Sequence, residues 1–361
     1  MPESLVVIPE PELPQFRRRL LAWFTRSKRN LDWRQTRDPY RIWLSEIMLQ
    51  QTRVAAVVPY YRRFVARFPT VRRLAGARLD TVLQHWAGLG YYSRARNLHR
   101  AAKQIAARRD AEFPRSLADA LALPGVGQYT GAAVLSIAYG EPLAVLDGNV
   151  ARVLARLGAV RGEPRQPRRW RRLATAADSL LARGAPGDWN QAMMELGATV
   201  CTPRAPRCGE CPVERWCRAR ALGIAGDLPG ARRRARTVRI TLAAAVLLDP
   251  QRRTLLVRHQ NGDGTLFSRL WQFPAVAAGR DAGHTLTRHL ESIGVPSAHL
   301  EALAAARHTV TFREIRLLPF LVRVARLPAI AGARKPPLVE LGRLPVSSAT
   351  RKIAAAALHA L

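Results

Sequence analysis

The stretch RIWLSEIMLQQT, residues 41–52, places one acidic residue, Glu46, among apolar side chains. Its helical period puts Glu46 on the apolar face with Ile42, Trp43, Leu49 and Gln50, opposite a wetter face with Arg41, Ser45 and Thr52. A carboxyl group removed from water has a raised pKa and can hold a proton near neutral pH, so Glu46 is a candidate general acid. The alternative is a glutamate at the edge of the apolar stripe whose carboxylate reaches water.

All four cysteines lie in one short segment, Cys201-x6-Cys208-x2-Cys211-x5-Cys217. A reducing cytoplasm disfavours disulfides, and clustered thiols there usually bind metal. Four thiolates suit either tetrahedral zinc or a cubane iron–sulfur cluster, and their spacing does not choose between the two. The basic residues in the intervening TPRAPR also fit a loop that faces nucleic acid.

A glycine-containing turn separates two helical patterns in LALPGVGQYTGAAVLSIAYG, residues 121–140. Leu123 opens the turn, and Gly125 and Gly127 allow backbone N–H groups to point outward at the start of the following helix. Such a turn can hold a phosphate oxygen. Taken alone, it could also be an ordinary connection between helices. The basic composition favours binding to a DNA backbone.

Asp147 stands directly before a helical pattern in AVLDGNVARVLARL. Aspartate is a favoured helix N-cap, and the Gly-Asn that follows supports a turn. A capping carboxylate is held rigid and ionised, which also suits a group that stabilises a nearby cation. Capping and catalysis are therefore compatible at this position.

The composition is that of a globular protein with a large excess of positive charge. The chain of 361 residues is 48% hydrophobic and 23% charged, with 58 Lys and Arg against 26 Asp and Glu. A formal net charge of +32 indicates a polyanionic partner, and nucleic acid is favoured. The opening residues do not resemble a signal peptide, and no apolar run is long enough for a membrane span. We expect a cytoplasmic, nucleoid-associated bacterial protein without membrane contact.

The patterns predict two domains. Residues 13–228 are predicted to form a mainly α-helical domain after a tail at 1–12. A linker at 229–238 follows, which contains all but the last residue of the basic stretch ARRRARTVR and could be a solvated tether or bind phosphate. Residues 239–361 form a smaller α+β domain. Its predicted strands are RITLAAAVLLD, RRTLLVRHQ, LWQFPAV and REIRLLPFLVRV, and its predicted helix is GHTLTRHLESIG.

Together these residues resemble the helix–hairpin–helix DNA glycosylases, and specifically the MutY-type adenine DNA glycosylases. The shared motifs are LSEIMLQQT, GLGYYSRARNLH, LPGVGQYTGAA, LDGNVARV, WNQAMMELGATVCTPRAPRC and the cysteine segment 201–217. The family implies a [4Fe-4S] cluster on the four cysteines. It also implies a helix–hairpin–helix domain followed by a Nudix-like domain that recognises the lesion.

The resemblance implies a role for Glu46. Members of the family flip adenine out of a mispair with 8-oxoguanine and excise it. Glu46 would protonate adenine N7, and Asp147 would stabilise the sugar cation that forms. Tyr129 and Asn149 match pocket positions that support the acid and the sugar.

The resemblance also implies roles for residues of the pocket and of the DNA-binding surface. Trp33, Arg34, Leu49, Gln191 and Met194 match residues that line the adenine pocket, although Trp33, Leu49 and Met194 could equally be ordinary core. For contacts with DNA, the resemblance implies Gln51, Thr52 and Tyr91, with Gln51 and Tyr91 as wedges beside the oxidised guanine, in addition to the hairpin residues Leu123, Gly125 and Gly127.

The resemblance also predicts a monofunctional enzyme. Bifunctional relatives of the endonuclease III type use a lysine at the position of Tyr129 to form a Schiff base and cut the strand. A phenol cannot form an imine. Ala151 offers no amine either.

The second domain should bind its ligand rather than hydrolyse it. Nudix hydrolases need several glutamates on one helix to hold Mg²⁺, whereas FPAVAAGRDAGHTLTRHLESIG has only Asp281 and Glu291. The segment expected to recognise the lesion departs from the Phe-Ser-His loop of many relatives. It comprises His308, Thr309, Val310, Thr311 and Phe312. Because the loop histidine is missing, we expect a weaker preference for 8-oxoguanine over guanine.

The function predicted is monofunctional excision of adenine from double-stranded DNA with 8-oxoguanine:A or G:A mispairs, by a monomer. One alternative is a mismatch thymine or uracil glycosylase on the same scaffold. Another is a non-catalytic protein that binds damaged DNA. Glu46 and Asp147 argue against the second alternative, and the second domain and the QQT motif argue against the first.

Overall fold

The computed structural model describes Leu5 and residues 7–230, 237–258, 270–296, 299–310 and 312–361. Thr311, in the predicted lesion segment, lies outside these residues. The chain forms two compact units, the first made of Met1–Gly76 with Asn97–Arg233 and the second of Ala77–Arg96 with Arg234–Leu361. Among the helices of the described residues, none has both the length and the apolar character to cross a bilayer.

The described chain before Val238 is helical and contains no strand, as predicted. Its helices are α1 (Leu13–Ser27), α2 (Pro39–Leu49), α3 (Val54–Arg67), α4 (Val71–Ala75), α5 (Leu79–Trp86), α6 (Tyr92–Ala106), α7 (Leu117–Leu121), α8 (Gln128–Val134), α9 (Gly148–Leu157), α10 (Pro167–Leu180), α11 (Pro186–Thr199) and α12 (Arg218–Ala221). A π-helical turn, Leu135–Tyr139, continues α8.

Helix α2 is central to the first unit. The Asp38 side chain caps it by accepting a hydrogen bond from the Tyr40 N–H at 2.9 Å, and Pro39 occupies its first turn. Helices α3 and α8 and the π-helical turn all pack against α2. A helix covered on several sides is expected to be apolar over most of its circumference.

The predicted wetter face of α2 is wrong at Ser45. This residue is fully buried, because α2 is covered on that side as well, and its hydroxyl donates to the Ile42 carbonyl at 2.7 Å. Thr52 does not belong to a helix face, since α2 ends at Leu49. Only Arg41, of the three residues assigned to that face, is exposed on the helix.

The described part of the second unit contains a mixed five-stranded sheet. Its strands are β1 (Val238–Leu248), β2 (Ala275–Ala277), β3 (Glu301–Ala302), β4 (Ala306–Val310) and β5 (Arg313–Arg323). Their order is β2-β1-β5-β3, and β4 also pairs with β5. Strands β1 and β5 run parallel with Leu242 opposite Leu317, and the other pairings are antiparallel.

Alternating side chains of β1 enter two separate cores. Val246 contributes to a core with helix α14 (Ser348–His359), and Ala245 contributes to the opposite core with helix α13 (Ala282–Ser292). The sheet therefore has an apolar core on each face. The predicted order, a mainly α-helical region before a smaller α+β region, is confirmed.

Two predicted strands differ from the structure. The described part of RRTLLVRHQ forms only isolated bridges, at Arg253, Thr254, Leu256 and Val257, and one of their partners, Leu248, is the last residue of β1. His259 and Gln260 lie outside the described residues. In LWQFPAV, the strand β2 begins only at Ala275, since Pro274 has no N–H to donate to a ladder.

Candidate active site

One cavity of about 720 Å³ in the first unit gathers the predicted catalytic and adenine-pocket residues. The residues come from the loop before α2, from α2 itself and the turn after it, and from the beginnings or inner faces of α8, α9 and α11. The predicted residues that line it are Trp33, Arg34, Glu46, Leu49, Gln51, Thr52, Tyr129, Asp147, Asn149, Gln191 and Met194. A cavity of this size can enclose a flipped base and its sugar.

Glu46 is 5% exposed and faces this cavity from α2. The Tyr129 hydroxyl donates a hydrogen bond to Glu46 Oε2 at 2.7 Å. Burial raises the pKa of Glu46 to about 7, although the Tyr129 hydrogen bond opposes the rise. The carboxyl group can therefore hold a proton near neutral pH, as a general acid requires.

Tyr129 is the contact between Glu46 and the opposite wall of the cavity. Met194 Sδ lies 3.1 Å from the Tyr129 hydroxyl and is an alternative acceptor for its proton. Burial raises the pKa of Tyr129 well above its usual range, and the carboxyl groups of Glu46 and Asp147 add to the rise. Tyr129 therefore remains a neutral phenol that can donate to Glu46.

Asp147 caps α9, as predicted, and it does so at the edge of the cavity. Its Oδ1 accepts from the Val150 N–H at 2.7 Å, and its Oδ2 accepts from Asn149 Nδ2 at 3.1 Å. The pKa of Asp147 is raised overall, because burial outweighs the hydrogen bonds from Val150 and Asn149 and the charge of Arg152, all of which lower it. The donors thus oppose the cost of burying the anion and fix its two oxygens.

Arg152 joins Asn149 to the cysteine segment. Its Nη2 donates to Asn149 Oδ1 at 2.9 Å and to the Gly197 carbonyl at 2.7 Å, and its Nε donates to the Cys201 carbonyl at 2.8 Å. A Cβ on Gly197 would come within 2.7 Å of the Asn149 Cβ, so α9 and α11 meet where only glycine fits. These contacts set the orientation of Asn149 and, through it, of Asp147.

Glu195 is a site residue that sequence reasoning missed. It is fully buried, and it accepts hydrogen bonds from Arg29 at 2.6 Å and from Arg34 at 2.8 Å. Burial alone would raise the pKa of Glu195, but the two arginines outweigh it and lower the pKa to about 2. Glu195 therefore stays ionised and holds the Arg34 guanidinium at the cavity. Its only sequence signal is an acid within the WNQAMMELGATVC motif.

Arg165 and Trp170 also line the cavity and were missed. Arg165 is exposed and Trp170 is half-buried, and both lie in the basic run RQPRRW that leads into α10. The Arg165 guanidinium lies 3.9 Å from where a Cβ on Gly148 would stand. An aromatic side chain inside a basic run could have indicated this part of the wall.

The hairpin between α7 and α8 has the predicted turn. Gly125 has a φ of +81°, and a Cβ there would lie 2.8 Å from the Asn97 Cβ. Leu123 is buried and accepts the Val126 N–H at 3.1 Å, while Gly127 stands in open space before α8. Both the left-handed backbone and the close approach require glycine at position 125.

Gln51 and Tyr91 share a rare backbone conformation. Their φ angles are +58° and +47°, and both side chains are exposed. Non-glycine residues with positive φ are uncommon and are often found at functional sites. The strain is consistent with the wedge role that the resemblance implies for both residues.

The four cysteines line one small cavity and form no disulfide. Burial raises the pKa of the Cys211 thiol to about 12, and the other three thiols add to the rise. Thiols crowded in this way ionise when a positively charged iron–sulfide core binds them, so the residues fit the group. Within the described residues, no three His, Cys, Asp or Glu side chains converge on a single-ion position.

Most of the predicted lesion segment belongs to a strand rather than a loop. His308, Thr309 and Val310 lie on β4, which pairs with β5, and Phe312 follows at the hairpin tip with 42% of its surface exposed. Burial lowers the pKa of His308, and the charge of Lys352 lowers it further. The two strands pair antiparallel, from Ala306 opposite Leu317 to Val310 opposite Arg313.

Two family models match parts of the chain. Residues 44–176 match the family model of the HhH-GPD superfamily base excision DNA repair protein, and residues 201–217 match that of the iron–sulfur binding domain of endonuclease III. The second match spans all four cysteines and shows that this chain carries an iron–sulfur cluster. A solved thermostable thymine-DNA glycosylase is 28% identical, with a TM-score of 0.53 over 59% of this chain and 98% of that one.

Two curated relatives are adenine DNA glycosylases. The human protein is 47% identical over 219 residues, which cover 58% of this chain and 40% of the human one. The chain thus spans less than half the length of that relative. The mouse protein is 33% identical over 400 residues, covering 95% of this chain and 78% of its own. The chain belongs to the adenine DNA glycosylase family.

Proposed function

We propose that this chain excises adenine from double-stranded DNA in which the adenine is mispaired with 8-oxoguanine or guanine. The observation that carries the proposal is the buried Glu46 carboxyl group, with a pKa of about 7, hydrogen-bonded to Tyr129 and facing the same cavity as Asp147. Two carboxyl groups with different surroundings in one cavity are typical of glycosidic bond cleavage.

Glu46 supplies the proton. Protonated Glu46 gives its proton to N7 of the flipped adenine, and the bond between N9 of the base and C1′ of the sugar then breaks with its electron pair on the base. Tyr129 holds Oε2 of Glu46 so that the other oxygen is left for the base. Arg34, held by Glu195, stands at the cavity wall where it can orient the base.

Asp147 stabilises the sugar cation that remains after the base has left. Loss of the base leaves positive charge on C1′ and on the ring oxygen of the sugar, and the fixed carboxylate of Asp147 lowers the energy of that cation. A water molecule then adds to C1′ and gives its proton to the Glu46 carboxylate, which was left ionised by the first step, so an abasic site remains and the acid is restored. Asn149 and Val150 keep Asp147 in place throughout.

The reaction stops at the abasic site. A strand cut needs an amine that attacks C1′, and among the described residues that line the cavity none is a lysine. Tyr129 stands where bifunctional relatives carry the lysine. The enzyme is therefore monofunctional.

The partner is double-stranded DNA, bound by one copy of the chain. The hairpin at Gly125 and Gly127 and the net charge of +32 suit the phosphate backbone, and the cavity is built within a single unit. Cys201, Cys208, Cys211 and Cys217 hold the iron–sulfur cluster, which when bound supplies four iron–thiolate bonds that anchor the loop and a redox-active centre.

The test is a glycosylase assay under single-turnover conditions on three duplexes, with A opposite 8-oxoguanine, A opposite guanine and T opposite guanine. We expect loss of adenine from the first two and no loss of thymine from the third. Release of thymine would favour the activity named for the solved relative. Tight binding without release of any base would favour a non-catalytic DNA-binding protein.

A further inference from the structure

Residues 77–96 belong to the second unit, although they lie inside the matched glycosylase region 44–176. This segment consists of α5, a glycine-containing turn, Tyr91 and the first residues of α6. The contacts of the segment explain its membership. They also bear on Tyr91, because they hold the turn that presents its side chain.

The first contact is made by the Asp80 clamp, which consists of Asp80, Arg258 and Arg334. Asp80 Oδ1 accepts from Arg258 Nη1 at 2.6 Å, and Asp80 Oδ2 lies 3.6 Å from Arg334 Nη2. Both guanidinium groups also stack on the buried Trp271 ring, at 4.4 and 5.0 Å from its centroid. Stacking on Trp271 therefore holds both guanidinium groups in place beside Asp80.

The backbone around the clamp is also fixed. Leu256 and Arg334 exchange two backbone hydrogen bonds, of 2.8 and 2.9 Å. Trp271 forms a bridge with Val346, and the Val346 carbonyl accepts from the Tyr92 hydroxyl at 3.3 Å. The segment is thus held at both ends, at Asp80 on α5 and at Tyr92 on α6.

Between these two points the chain forms a rigid turn. Gly88, Gly90 and Tyr91 all have positive φ. The buried Trp86 donates to the Gly90 carbonyl at 3.0 Å, and the Arg94 guanidinium lies 5.2 Å from the Tyr91 ring centroid. The exposed Tyr91 ring therefore has a direction that the rest of the turn determines.

We propose that Asp80 is a positioning residue that acts through Tyr91. The Asp80 clamp ties the Tyr91 turn to the C-terminal part of the second unit, so the unit expected to recognise the lesion also sets where Tyr91 enters the duplex. The proposal rests on the proposed function, since it concerns the base opposite the adenine. Its specific consequence is that Asp80 affects the preference for 8-oxoguanine:A over G:A.

A double-mutant cycle with Asp80→Asn and Tyr91→Ala tests the proposal, using single-turnover excision on both duplexes. Asp80→Asn keeps the size and removes the charge, and partly exposed ion pairs contribute little to stability, so the variant should fold. We expect Asp80→Asn to lower the preference about two- to tenfold and to have no further effect in the Tyr91→Ala background. Asp80→Glu should restore part of the preference.

The matched control is Asp178→Asn in the first unit, which also removes an ion pair with an arginine, here Arg183 at 3.1 Å. It makes the same change in net charge and should leave the preference unchanged. The inference would be overturned if Asp80→Asn slowed excision from both duplexes equally, or if its effect on the preference added to that of Tyr91→Ala. Either result would leave the proposed function standing. Absence of adenine excision by the wild type would instead overturn the proposed function.

Discussion

At the scale of single residues, the proposed reaction depends most on Glu46, which must hold a proton near neutral pH. Its carboxyl group is buried and, among the described residues, accepts no hydrogen bond from an arginine or lysine, unlike that of Glu195, which two arginines keep ionised. Two buried glutamates of the same unit thus have pKa values of about 7 and about 2. The difference divides their tasks, because one can give up a proton at neutral pH and the other serves only as a fixed anion.

Replacement of Glu46 by glutamine should abolish most of the excision. The amide keeps the shape but has no transferable proton, and general acid catalysis is typically worth about 10²–10⁴-fold. Single-turnover excision measures the loss, while the affinity for the mispair should persist. Glu141→Gln is the control, since Glu141 is exposed. Near-normal excision by Glu46→Gln would assign the acid to another residue.

The same variant should be more stable than the wild type in alkali. The folded chain raises the pKa of Glu46 from 4.5 to about 7, so the stability contributed by its proton is full below pH 4.5 and is lost as the pH rises through 7. At pH 8, Glu46→Gln should gain up to about 3 kcal/mol in free energy of unfolding, and little at pH 4. Chemical denaturation at the two pH values measures the difference.

The pH dependence of excision should depend on Tyr129. The wild-type rate should fall as the pH rises above about 7, because the acid loses its proton. Tyr129 stabilises the ionised form of Glu46, so Tyr129→Phe should move this fall to higher pH. Tyr139→Phe is the control, as its hydroxyl donates to the Phe113 carbonyl at 2.7 Å instead. A fall at the same pH in Tyr129→Phe would contradict the role of the hydrogen bond.

At the scale of elements, the hairpin of β4 and β5 presents the residues expected to face 8-oxoguanine. The Phe312 side chain at its tip is a ring that cannot form a conventional hydrogen bond, and Arg313 stacks on that ring with 4.9 Å to the centroid. We therefore expect Phe312→His to enlarge the preference for 8-oxoguanine:A over G:A, by roughly 2–12-fold for one neutral hydrogen bond. Side-by-side single-turnover rates on the two duplexes measure this preference.

The control for the hairpin is Val339→His, at an apolar residue of the same unit that is 72% exposed. It should leave the preference unchanged. A sharp decrease in His308→Ala, together with no gain in Phe312→His, would show that His308 reads the lesion from within β4.

The cysteine segment should be stable only with its cluster. Arg156 is buried, and it donates to the carbonyls of Thr202 at 2.7 Å and Leu228 at 2.8 Å and to Cys201 Sγ at 3.2 Å. Loss of the cluster would leave the buried Arg156 guanidinium beside acceptors in the cysteine segment that are no longer held in place. Cys211→Ser should therefore lower the bound iron from about four atoms per chain and lower the unfolding temperature. Stoichiometric zinc in the anaerobically prepared wild type would contradict the iron–sulfur assignment.

Sequence reasoning predicted the elements whose signals are local. Asp147 could be assigned as a cap because the turn and the helix follow it directly, and the cysteines are close together in the chain. Glu195 could not be assigned to the site, since its partner Arg29 lies 166 residues away and nothing near either residue indicates the pairing. Ser45 was misplaced because a helical period assumes one wet face, whereas α2 is covered on that side too.

At the scale of the whole molecule, the division into units was the hardest feature to predict. The change from a helical to a strand-like pattern near Val238 is visible in the sequence, and β1 begins there. The membership of residues 77–96 in the second unit has no such sign, because α5 has the same amphipathic pattern as the other helices. It depends on ion pairs and ring contacts between residues far apart in the chain, which no local period encodes.

The net charge of +32 predicts how the whole molecule should respond to salt. Each phosphate that a lysine or arginine neutralises releases counterions, so the affinity for DNA falls linearly with salt on logarithmic axes. With six to ten such contacts the affinity should fall by about 10³–10⁵ between about 50 and 200 mM salt. Phosphates carry no sequence information, so duplexes with and without the mispair should give the same slope and differ only by a constant factor. Binding titrations of Glu46→Gln, which should bind without excising, measure both slopes. A shallow slope, or slopes that differ between the two duplexes, would show that the excess charge does not lie against the DNA backbone.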